Sequence, residues 1–95
     1  MHAAALTMRL RLAQAHSLKD KRSVVRPILD GSRARFAVAA AEVGEQDLWQ
    51  VAVVAFAAVG GSAGHVEDVL SKVERFVWSF PEAEVVESEW HWWGE

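Results

Sequence analysis

Residues Val51 to Val59, VAVVAFAAV, contain no polar side chain. The run is too short to cross a bilayer, which takes about 20 apolar residues as a helix. Its length and its valines suit a strand, and a strand that is apolar at every position is buried on both faces. Such a strand sits centrally in its sheet, and something must cover each side of it. The rest of the chain therefore has to supply flanking strands and at least one covering layer.

The flanking segments read accordingly. Leu6, Met8, Leu10 and Leu12 alternate with Thr7, Arg9 and Arg11, the period-two pattern of a strand with one apolar and one basic face. Ser17 then has the character of an N-cap, with Asp20 three residues on at the positive end of a helix. That helix is predicted over Leu18 to about Phe36, with Leu18, Val25, Leu29, Ser32 and Phe36 forming the buried stripe, and Ile28 and Val24 on a flank. Lys19, Arg22, Arg26 and Arg33 line one side of the stripe, and Lys21 and Arg35 the other. Pro27 falls on the solvent side, where water can satisfy the freed carbonyl of Ser23; it predicts a kink, or a break into two shorter helices. Ala37 to Val43 reads as a short strand. A second helix runs from Ala63 or His65 to Phe80, ahead of Pro81. Ala83 to Trp93 is a last strand, with Val86, Ser88, Trp90 and Trp92 on one face and Val85, Glu87, Glu89, His91 and Trp93 on the other. Trp90 and Trp92 are expected against the helices.

The order is βαββαβ, a single domain over residues 1–95. Split βαβ units of this kind make a ferredoxin-like α+β sandwich: a four-stranded antiparallel sheet, order 4-1-3-2, with both helices on one face. This topology brings AHSLKDKR, Ala15 to Arg22, to the same sheet edge as GEQDLWQ, Gly44 to Gln50. His16, Ser17, Lys19, Lys21, Arg22 and, a turn further on, Arg26 meet Gln46, Asp47 and Trp49 there. A helix N-terminus with lysines and arginines can bind phosphate, and Trp49 or His16 can stack on a base. The structural alternative is that Asp47 pairs with Lys21 or Arg22 and ties the hairpin down. A second candidate surface is the open sheet face, where Arg9, Arg11 and Trp93 stand and one register adds Val54 and Phe56. It suits a homodimer contact or an RNA platform.

Charge sharpens the first of these. The net charge is −3, but residues 1–36 carry +6 and residues 37–95 carry −9. A dipolar chain can offer a basic side to a polyanion in spite of an acidic total. Other chemistry lacks its residues. There is no cysteine, and the four histidines lack ligand spacing, so no metal and no cofactor is expected. Ser17 beside His16 is not a triad, and GGSAG, Gly60 to Gly64, lacks the lysine of a phosphate loop. The apolar start is interrupted by Arg9 and Arg11, unlike a signal peptide. These features predict a soluble, cytoplasmic protein with no membrane contact that is not an enzyme. A role for it as an enzyme or binder of a small anionic metabolite is a remoter alternative.

The runs AHSLKDKRSVVRPILD, VAAAEVGEQDLWQVAVVAFAAV and HVEDVLSKVERFV resemble the YlxP-like family, small bacterial proteins carrying a domain of unknown function. The resemblance covers about Ala5 to Val86. It implies the ferredoxin-like fold and suggests association with ribosomal RNA, ribosomal proteins or a ribosome-assembly intermediate. Pro27 and the tryptophan-rich end depart from the family pattern.

Overall fold

The computed structural model describes residues 1–94; Glu95 lies outside them. The elements are β1 (His2–Arg11), α1 (Leu18–Phe36), β2 (Ala39–Gly44), β3 (Val51–Gly60), α2 (Ala63–Trp78) and β4 (Glu84–Gly94). The strands form one sheet in the order β2-β3-β1-β4, and each neighbouring pair is antiparallel. Both helices cover one face. The fold is ferredoxin-like, in the predicted order.

Alternation in β1 sets the layers. Ala4, Leu6, Met8 and Leu10 are buried under the helices, while Thr7 and Arg9 face away. The β1–β3 register pairs Leu6 with Phe56 and Met8 with Val54, which turns both β3 side chains into the core. Phe56 is fully buried, so it is not part of the open face. β3 has no polar residue to declare its inward side, and only pairing with β1 settles it. The open face instead receives Val51, Val53, Ala55, Ala57 and Val59. No element among the described residues covers them.

From the helices, Val25 and Ile28 of α1 and Val66, Leu70, Val73 and Val77 of α2 complete the core. The buried face of α1 is Lys21, Val25, Ile28 and Ser32. It is rotated roughly 50° from the predicted stripe, at 100° per residue. Leu18, Leu29 and Phe36 are only half-buried as a result. Pro27 leaves α1 as one continuous helix and is exposed, so water can reach the carbonyl its ring leaves unbonded. Ser17 caps the helix in extended conformation. Its Oγ accepts from the amide of Asp20 at 3.0 Å, and Asp20 Oδ2 accepts from the amide of His16 at 2.9 Å. The first bond satisfies an orphan amide of the helix's first turn, and the second ties the residue before the cap to that turn. Ser62 caps α2 in the same way, accepting from His65.

β4 departs from simple alternation. Val85 lies opposite Leu10 and Glu87 opposite Arg9, so Val86 is an extra residue. This bulge turns Val85 toward the core and leaves Val86 58% exposed, reversing their predicted sides. Trp90 packs on the core. Trp92, opposite Ala4 on the same face, stacks on Trp90 at 5.6 Å and is about half exposed.

The helices approach most closely at Gly31. A Cβ there would lie 2.6 Å from Phe76 Cζ. The Phe76 ring has little freedom to retreat: Phe36 and Phe80 meet it edge-on and the Arg35 guanidinium sits 4.9 Å from its centroid. Glycine to alanine in a helix ordinarily gains about 1 kcal/mol, whereas overpacking costs about 1–3 kcal/mol. Gly31→Ala is therefore expected to lose about 1 kcal/mol in urea denaturation; a gain would show that the rings yield. Ala37 ends α1 in the left-handed region, φ 54°, where a Cβ is unfavourable by about 1 kcal/mol. Ala37→Gly is expected to raise stability by about that amount in the same measurement.

Candidate functional site

The two predicted loop segments are neighbours, and Lys21 joins them. Its side chain is 2% exposed. The Nζ donates to the carbonyls of Leu48 at 2.7 Å and Glu45 at 2.8 Å, with that of Gln46 at 3.5 Å. Glu42 Oε2 stands 2.7 Å away as an ion pair, too oblique for a hydrogen bond. An ammonium group has three donors and no acceptor, and the β2–β3 turn presents it with a nest of carbonyls. A buried cation without such partners would cost several kcal/mol.

Two further contacts lock the same edge. Gln50 Nε2 donates to the carbonyls of Ala13 and Ala15, at 3.3 and 3.1 Å, and Gln50 O accepts from the amide of Leu12 at 2.8 Å. Arg9 Nη2 reaches from β1 to Glu45 Oε2 at 3.0 Å. Glu45 itself has φ 56°, a left-handed backbone that an L-residue adopts only under constraint. Lys21 holds its carbonyl and Arg9 its carboxylate, which supplies that constraint.

Two predicted roles change here. Lys21 is not available to a phosphate, because its donors are directed into the protein. Asp47 is exposed and makes no ion pair among the described residues; the acid that meets Lys21 is Glu42, on β2. The signal was present in the sequence. Lys21, Val25, Ile28 and Ser32 keep helical spacing, so a lysine on that line faces the core. Gln46 lends its carbonyl to Lys21 and its Nε2 to Glu42 O. Gln50 is the clip that sequence reading did not single out.

What remains exposed is a narrower set. Lys19, Arg22 and Arg26 form no ion pair among the described residues. They lie within about 60° of one another around α1, over about 10 Å of its length. With Ser23, Pro27 and Asp30 they line a shallow depression open to solvent. Arg33 continues the row, but its guanidinium is taken by Asp30 at 2.9 Å and by the carbonyl of Ala40. His16 is exposed, and Trp49 is half-exposed on the hairpin that Lys21 holds. The Ser17 hydroxyl is occupied by its cap. No group of three or more histidines and carboxylates forms a metal-binding cluster among the described residues. Among the described residues, no helix is long and apolar enough to cross a membrane.

Removing the Lys21 ammonium would strand Glu42 and the turn carbonyls. Breaking a buried pair costs about 3–5 kcal/mol, and Glu42, about a fifth exposed, can recover some water. Lys21→Met is expected to lose roughly 3 kcal/mol in urea denaturation, whereas Arg22→Ala and Asp47→Ala stay within about 0.5 kcal/mol. Similar small losses for all three would contradict the clip.

Comparison with known proteins places the chain. Residues 3–90 match the family described as Protein of unknown function (DUF503). The chain is similar to the uncharacterized protein YlxP of Bacillus subtilis (strain 168), 41% identical over 78 residues, covering 80% of this chain and 85% of that protein. A match of this extent, on a fold whose order and register are self-consistent, makes the chain a member of the DUF503 family.

Proposed function

We propose that this protein is a non-enzymatic RNA-binding module of the cytoplasm, which holds phosphates with Lys19, Arg22 and Arg26. The carrying observation is that these three cations share one side of α1, are exposed, and have no ion-pair partner among the described residues. Surface cations that are not internally neutralised remain free to displace the counterions of a polyanion. Their span of about 10 Å suits a few consecutive phosphates rather than one.

The shape of the surface favours a polymer over a metabolite. The depression beside the basic row is open, as is the one lined by Asp47, Leu48, Trp49, Gln50 and Val51 at the hairpin. Small-ligand sites are concave and bury most of their ligand. Trp49 and His16 supply aromatic surface on which an unpaired base can stack. The family resemblance, which suggests a ribosome-linked role, makes ribosomal RNA or an assembly intermediate the first partner to test. A second reading, a homodimeric interaction module, is favoured by the bare sheet face. It is compatible with the first, because the basic row lies on the helix side.

Fluorescence polarisation with ribosomal RNA fragments, repeated from low to physiological salt, tests the proposal. Affinity is expected to fall steeply with salt. Replacing Lys19, Arg22 and Arg26 together by alanine should lower the slope of log K against log salt by about 2, at about 0.7 per single-strand contact. Lys72→Ala, on α2 and paired with Asp68, should leave the slope unchanged. Absence of binding at low salt, or a triple variant that binds like the parent, would overturn it.

A further inference from the structure

We infer that the bare face of the sheet is covered by a second copy of this chain. β3 is apolar at every position, yet only its Ala52, Val54 and Phe56 side is buried under the helices. The other side presents Val51, Val53, Ala55, Ala57 and Val59 beside Ala3 and Ala5 of β1 and Trp93 of β4. Val59 is 70% and Trp93 58% exposed. An antiparallel sheet that faces water ordinarily carries polar residues on that side. Here, apart from His91 opposite Ala5, they lie toward the end nearer Thr7, Arg9 and Arg11.

The relief of this face suits a two-fold axis. The bulky His91 and Trp93 stand on β4 at one margin, where their rings stack at 6.4 Å. At the other margin Ala5, Ala39, Ala41, Ala55 and Ala57 floor a shallow depression. An axis parallel to the strands, along the midline between β1 and β3, lays β4 of one copy over β2 of the other. Each tryptophan margin then covers an alanine margin. Sheets stack about 10 Å apart, a gap that alanine against alanine would leave empty and that the aromatic rings fill. Four strands about 4.8 Å apart, from six residues in β2 to eleven in β4, offer roughly 600 Å² over the whole face before side-chain relief is counted. That approaches the roughly 800 Å² per partner of a stable interface.

Several polar groups on the face have partners within the chain. Arg9 is paired with Glu45 at 3.0 Å, His91 Nε2 lies 2.9 Å from Glu89 Oε1, and Thr7 Oγ1 donates to the carbonyl of Glu89. Arg11 and Glu87, of opposite sign, stand toward the polar end. The sheet edges, in contrast, are guarded against self-pairing. Two β4 strands side by side would set Glu84, Glu87 and Glu89 against their own copies, and two β2 strands would bring the basic rows of α1 together. Pairing β4 of one copy with β2 of the next joins opposite charges, but it repeats head to tail and does not close.

Sedimentation equilibrium of the RNA-free protein tests this. The expected mass is about 21 kDa, twice the 10.5 kDa chain. Ala57→Glu, placed in the exposed alanine floor, and Trp93→Ala should each weaken the dimer at least tenfold while the far-ultraviolet circular dichroism is retained. Arg22→Ala with Arg26→Ala should leave the mass unchanged, which separates this surface from the basic row. A monomer at several hundred micromolar, a concentration-dependent ladder above the dimer, or an undiminished dimer in both Ala57→Glu and Val59→Glu would overturn it.

Discussion

The arrangement at the functional edge depends on one buried ammonium group. Lys21 lies on the core side of α1, and its Nζ is surrounded by the carbonyls of the β2–β3 turn and the carboxylate of Glu42. Peptide carbonyls that turn inward need donors, and a lysine carried by the adjacent helix supplies them at one point. The left-handed Glu45, the reach of Arg9 and the position of Trp49 all follow from where that turn is held. The same interaction sorts the charges of AHSLKDKR. One cation is committed to structure, and Lys19 and Arg22 are left facing water.

The sheet then separates two surfaces of different character. On the helix side, α1 carries a row of cations ended by the Asp30–Arg33 pair. On the opposite side, the sheet is apolar over half its length, and Arg9 among its charged residues is paired with Glu45. A dimer through the second would present two basic rows outward, so the two readings reinforce each other without depending on each other. Their separation also explains how an acidic chain can keep a basic side: most of its carboxylates are on α2, β4 and the loops around them.

Element order and topology were legible because β1 and α2 have clean periodicities and because Ser17 is a strong cap. Single side chains were harder to place. Phe56 lies in a strand with no polar residue, so its side depends on a partner strand. Val85 and Val86 exchange sides through a bulge, which inserts one residue without a compositional signal. Lys21 contradicts the expectation that lysines face water, and only its spacing with Val25, Ile28 and Ser32 reveals it. Choosing Asp47 over Glu42 as the counter-ion placed the acid on the turn instead of the strand beneath it. The apolar run Val51 to Val59 implied cover on both faces, and the chain supplies it on one. That difference is what points beyond the single chain.

The claim that Lys21 is structural while its neighbours are free is open to direct observation. The chain has three lysines, Lys19, Lys21 and Lys72. Their side-chain ammonium groups can be followed by proton–nitrogen NMR during titration with a short single-stranded RNA. The account predicts a slowly exchanging Lys21 signal that persists unmoved, a Lys19 signal that shifts with added RNA, and a Lys72 signal that does not. A Lys21 signal that exchanges as fast as that of Lys72, or that moves with RNA while Lys19 stays in place, would contradict it.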